Sequence, residues 1–159
     1  MTSPFNSPLE TGIRTLAILT AVFPRSLDLQ HLVYFDYLVL HSGDVEGPDS
    51  LHAPLPLRSG ELTVRRGLIE RGIFLMMSRR LVERLVLSDG FQYIASESAN
   101  VFLSMMSSQY ILKLKERAEW VFETFSESTL EELQALERRF FREGSIQFHS
   151  VERVGGQGR

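Results

Sequence analysis

The chain has 159 residues, a formal net charge of −3 and no cysteine. That length suits one domain with an added helical extension, and it can bury a core without help from metal or disulfides. The lack of cysteine excludes a disulfide frame, thiolate zinc ligands and a cysteine nucleophile; it suits a reducing compartment, so a cytoplasmic protein is expected. Thr2, Ser3 and Pro4 follow Met1 where an export signal would carry basic and then apolar residues, so no leader is read there. Apolar runs such as Val33–Leu40 are short and contain Asp36, so no membrane span is expected.

In chain order, Ser7 is placed to cap a first helix, with Pro8 at its first position and Glu10 completing a capping box. Leu9, Ile13, Leu16, Ala17, Thr20 and Phe23 share one helical stripe, and Pro24 ends it. Ser26 or Asp28 caps a second helix running to about His41, whose apolar residues wrap most of the way round, the pattern of a helix buried on several sides. Ser42–Arg58 holds three glycine or proline breaks before Pro54 and Pro56 and reads as a long loop, functional or mobile. Ser59 should cap helix three. Leu62 on the core brings Ile69, Ile73 and Met76 beside it. A straight continuation also brings Arg66 and Arg80 there, so a bend near Gly67 or Gly72 and an end near Ser78 are expected.

Leu81–Leu87 reads as an approach and a strand, Asp89-Gly90 as a hairpin turn, and Phe91, Tyr93 and Ala95 as the alternating return strand. A helix follows from Ser96 through Met106, broken at Ser107-Ser108. The next has a regular stripe of Ile111, Leu114, Ala118, Val121, Phe122 and Phe125. Ser128 and Glu131 form a second capping box for a last helix bearing Leu130, Leu133, Leu136 or Glu137, and Phe140. This order is that of a winged helix-turn-helix: a mainly α chain with a small β-hairpin. The winged domain is expected over residues 5–95, a helical extension over 96–143 and a flexible tail over 144–159.

No catalytic constellation emerges, so no enzyme and no cofactor are expected. His41, Asp44 and His52 have metal-ligand chemistry, but they are only three and no second cluster supports them, so they are read as pinning a loop. Ser42-Gly43-Asp44 and Ser59-Gly60-Glu61 lack the flanking glycines of a nucleophile elbow. Neither a Walker A sequence nor a dinucleotide glycine pattern occurs.

The segments FNSPLETGIRTL (5–16), LDLQHLVYFDYLVLHSGDV (27–45), SLH (50–52), RSGELTVRRGLIERGIFLMMSRRLVER (58–84) and RAEWV (117–121) resemble the middle component of ABC-three-component systems, which include the Lamassu-type prokaryotic defence operons. The resemblance covers roughly residues 5–125, and that family often has glycine where this chain has Arg80. It implies a small winged-helix adaptor, without catalytic residues. Such an adaptor is encoded between an SMC-like ATPase and an effector, often a nuclease, and joins the two.

Function must then lie on surfaces. Fifteen of the seventeen basic residues are arginine, and six of them (Arg65, Arg66, Arg71, Arg79, Arg80 and Arg84) fall in one segment. Arginine favours bidentate pairing with carboxylate or phosphate. Arg65, Arg66, Arg71, Arg79 and Arg80 are therefore candidate contacts to a partner or to DNA, with protein or intramolecular pairing favoured because the chain is acidic overall. Trp120, Phe140 and Phe141 are candidate partner anchors, since one helical extension has more aromatic residues than a small core needs. A stand-alone DNA-binding regulator is the rival reading; a small hydrolase lacks the residues.

Overall fold

The computed structural model describes residues 7–52 and 61–139, the side chains of Glu61 and Leu62 excepted. It is mainly helical with one antiparallel hairpin. Helix α1 is Pro8–Val22, α2 Leu29–Leu40 and α3 Glu61–Ser78; strands β1 (Val82–Leu87) and β2 (Gly90–Ala95) follow, then α4 (Glu97–Ser104) and α5 (Gln109–Phe125). A last helix, α6, covers 130–139 of the described residues.

Local chemistry sets the helix starts. Ser7 accepts from Glu10 N at 3.2 Å, Asp28 from His31 N at 2.7 Å and Ser108 from Ile111 N at 3.2 Å. For α6 the cap is Thr129, which accepts from Glu132 N at 3.2 Å, so the expected Ser128–Glu131 box sits one residue too early. Ser59 lies outside the described residues. The end of α3 is a Schellman closure: Arg80 N donates to Met77 O and Leu81 N to Met76 O, both at 2.9 Å. Arg80 takes φ 60° to make it. Such a left-handed position favours glycine, so a non-glycine residue there carries strain.

α1 is the central helix. It packs against α2, α3, α4, α5 and β2, and its buried residues, Thr11 to Leu19 apart from Ile13 plus Val22, go right round it. The expected stripe was therefore misplaced: Leu9 and Phe23 are exposed, because a helix enclosed by neighbours has no single buried face. α2 is buried from Leu32 through Leu40, as read. α1 and α3 cross at Gly12 and Gly72, where a Cβ on Gly72 would stand 2.7 Å from Gly12 N and 3.0 Å from its Cα. α3 runs through both of its glycines as one helix, and Gly72 serves a close crossing. Arg66 is exposed at the edge of the helix and Arg80 lies beyond its end.

The hairpin has the register Val82↔Ala95 to Leu87↔Gly90. Its two-residue turn is thus Ser88-Asp89, with neither residue at positive φ and Gly90 (φ 134°) entering β2. The expected Asp89-Gly90 turn is one residue out; glycine after a turn of this kind has a known preference. Tyr93 also pairs with Leu27 across the outer edge of β2, through two backbone hydrogen bonds of 2.8 and 2.9 Å. The predicted stripe of α5 faces the interior, with Leu114, Ala118 and Val121 buried and Ile111, Phe122 and Phe125 packed at their margin. Leu133 of α6 joins the same core.

Candidate partner interface

The polar centre of the fold is a carboxylate held between two guanidiniums. Asp36 of α2 has no exposed surface, and Arg14 of α1 is 1% exposed. Arg14 Nε donates to Asp36 Oδ1 at 2.9 Å and its Nη2 to Oδ2 at 3.4 Å; Arg65 Nη1 of α3 donates to Oδ2 at 2.6 Å. These charge-assisted bonds tie three helices at one point. Burial alone would raise the Asp36 carboxyl, but Arg14 and then Arg65 outweigh it and hold it below the usual carboxylate value.

A ring of weaker groups surrounds this centre. Tyr110 of α5 meets His52 Nε2 at 3.1 Å, and burial raises the Tyr110 hydroxyl. Burial, then the charge on Arg65, pushes His41 down to about 4; burial and Arg14 lower His52 as well. Both imidazoles are therefore neutral at pH 7. Asp44 turns to the Tyr37 hydroxyl at 3.0 Å. Residues 42–45 form a 3₁₀ turn. Leu51 N and His52 N both donate to Leu40 O. Ser42 Oγ donates to Pro48 O at 2.7 Å, and Arg117 Nε to Asp49 O at 3.1 Å. The first part of the expected Ser42–Arg58 loop, to His52, is thus fastened to α2 and α5; its remainder lies outside the described residues. Among the described residues no cluster of three or more histidine or acidic side chains could hold a metal ion.

The predicted contact residues separate into groups. Arg65 is structural: 13% exposed, bound to Asp36 and over the Tyr37 ring at 5.6 Å, an intramolecular pairing as the sequence allowed, with Asp36 as the partner. Arg66 is exposed and lies 3.6 Å from Glu70 one turn on, an intramolecular pairing. Arg71, Arg79 and Arg80 are exposed on α3 or just past its end. Trp120 is half-buried, edge-on to Phe125 and over Gly47, where a Cβ would overlap its ring. Phe140 and Phe141 lie outside the described residues. Sequence reading missed Arg14 and Asp36. The available signal was charge inside segments otherwise apolar on every side, which demands a partner.

The outward side of α3 carries a second set of residues with no signal in local sequence. Opposite the buried Ile69, Gly72, Ile73 and Met76 lie Val64 (66% exposed), Gly67, Arg71, Phe74 (58% exposed) and Ser78, spaced by three and four residues. At the hairpin tip Val86 and Phe91 are exposed opposite each other, with the Arg84 guanidinium 4.6 Å from the Phe91 ring centre. An apolar strip flanked by arginine on one helix and one ribbon has the composition of a protein contact. No helix among the described residues is long and apolar enough to cross a membrane.

No curated protein and no solved structure matches the chain. A family model does, over residues 4–146, and its description is the ABC-three component system Middle Component 2. With nearly the whole length matched, the chain belongs to the Middle Component 2 family of ABC-three component systems.

Proposed function

We propose that this chain is a non-catalytic adaptor that holds an effector, often a nuclease, against an SMC-like ATPase in a Lamassu-type prokaryotic defence complex in the cytoplasm. The observation that carries the reading is the membership in a middle-component family, joined to a surface of exposed apolar and arginine residues on α3 and the hairpin. The element order supports a winged-helix domain as the platform: α1, the Leu27 pairing with β2, α2, α3, then the two strands. The buried ionic centre fits a rigid platform, because it joins α1, α2 and α3 rather than opening to a substrate.

The test is co-expression of the tagged chain with the products of its two neighbouring genes. Copurification of an SMC-like subunit and an effector at stoichiometric amounts supports the adaptor. Recovery of the chain alone at low salt overturns it. The exposed Arg71, Arg79 and Arg80 keep a second reading alive, a DNA-binding regulator. That reading requires nanomolar, sequence-selective binding by the chain alone at physiological salt. An adaptor of net charge −3 should show only non-specific binding, about 0.1 mM to 1 µM.

A further inference from the structure

Among the described residues, Gly67 stands where glycine has no internal use. It lies in the middle of α3 and does not take a positive φ. A Cβ built on it meets, among the described residues, only the end of the flexible Arg71 side chain, at 3.9 Å. Gly72, five residues on, is pressed against the backbone of α1; Gly67 faces the other way. Glycine inside a helix is a poor helix former, so its presence on this face weakens the helix with no close internal contact among the described residues to offset this. Its neighbours on that face are Val64, Phe74 and Ser78, with Leu68 and Leu75 half-buried at the margin. The face is thus apolar at Val64 and Phe74, with Arg71 between them and a notch at Gly67.

Charge names what fits. Arg71 lies on this face, Arg79 and Arg80 stand at its C-terminal end, and Arg66 on its flank is shared with Glu70. We propose that the Val64–Gly67–Phe74 face of α3 is the seat of a helical segment of another subunit, apolar along one ridge and acidic at its sides, with its backbone brought close at Gly67. Phe74 and Val64 supply the apolar anchor, and Arg71, Arg79 and Arg80 meet the flanking carboxylates. Nucleic acid is the less suited occupant, because Val64 and Phe74 are exposed apolar side chains on either side of Arg71 and the chain carries a net charge of −3. This inference rests on the adaptor reading.

The test uses Gly67→Ala, Gly67→Gln and Arg71→Glu in the full chain, alone and co-expressed with the neighbouring subunits. Alone, the two glycine variants should melt about 2–4 °C higher than wild type, from the gain in helix propensity. In the complex they should bind more weakly, Gly67→Gln and Arg71→Glu by roughly tenfold or more. A variant that is more stable and yet docks worse separates contact from folding. If wild type assembles and all three variants assemble equally well, the face is not the seat and the adaptor reading survives. If wild type itself does not assemble, the adaptor reading falls and takes this inference with it. Two further results overturn the proposal: loss of binding to a 20-base-pair duplex in place of subunit docking, and sedimentation as a wild-type dimer that Gly67→Gln dissociates.

Discussion

An ionised carboxylate with no access to water persists only where cations reach it, and Asp36 has two. Arg65 is one of them, so its neighbour in sequence has a different role. Arg65→Glu would set a second carboxylate against Asp36 and should destabilise the chain by about 3–5 kcal/mol, as when one partner of a buried pair is lost. Arg66→Glu, at an exposed position, should change stability by about 0.5 kcal/mol or less. Urea denaturation of the two single variants gives the comparison directly, and equal midpoints would remove Arg65 from the ionic centre. His41 gives the centre a pH dependence. Its folded value, about 4, lies below the ordinary 6.5. As the pH falls below 6.5 the unfolded chain takes up this proton and the folded chain does not. The stability is thus complete above the unfolded value and is lost as the pH drops toward the folded one. Between pH 7 and 4.5 the loss from this group is about 2.5 kcal/mol. His52 is shifted in the same direction and adds to the slope. A His41→Asn chain should therefore lose about 2.5 kcal/mol less than wild type over that interval; parallel pH profiles would show that His41 is protonated in the fold.

At the scale of the helix, two glycines of α3 should respond oppositely to the same change. Gly72→Ala would place a Cβ within 2.7 Å of the α1 backbone at Gly12 and force the helices apart. Overpacking of this kind costs about 1–3 kcal/mol, more than the helix propensity gained, so the melting temperature should fall. A rise on Gly72→Ala would mean that the crossing is looser than its geometry. The contrast also marks what the sequence could reveal. Caps at Ser7 and Asp28, the hairpin, the end of α3 near Ser78 and the stripe of α5 depend on residues within a few positions of one another, and they were readable. The role of Gly72 depends on Gly12, sixty residues away in the chain, so the crossing was not legible in local sequence. The misplaced stripe of α1 has a related cause: periodicity reports a helix with one wet side, and α1 has neighbours all round. The arginine cluster was visible in composition. Its division into Arg65 turned inward and Arg71, Arg79 and Arg80 turned outward required the position of Asp36 on another helix.

For the whole molecule, the question is whether the part that carries α3 and the hairpin folds by itself. Sequence composition invites a boundary after Ala95, with the following helices as an extension. The packing argues for interdependence. Ala99 and Leu103 of α4, Leu114, Ala118 and Val121 of α5, and Leu133 of α6 belong to the same hydrophobic cluster as α1 and α2. Tyr34 of α2 donates to Glu137 of α6 at 2.7 Å. Arg117 and Trp120 hold the segment after α2 in place, through Asp49 O and Gly47. Fully burying a large aliphatic side chain contributes about 1.5–3 kcal/mol, whereas an entire domain is stable by only about 5–15. Losing the buried leucines and valine of α4, α5 and α6 together would consume much of that margin, and it would uncover apolar faces of α1 and α2 at the same time. A chain ending at Ala95 should therefore unfold without a sharp thermal transition and bind a hydrophobic dye, while the full chain melts cooperatively. Calorimetry of both decides the matter. A sharp transition in the shorter chain within a few degrees of the full one would make residues 5–95 an autonomous domain. The acidic helices would then be free to act as a separate arm toward a partner, rather than as the rear wall that fixes the α3 face in position.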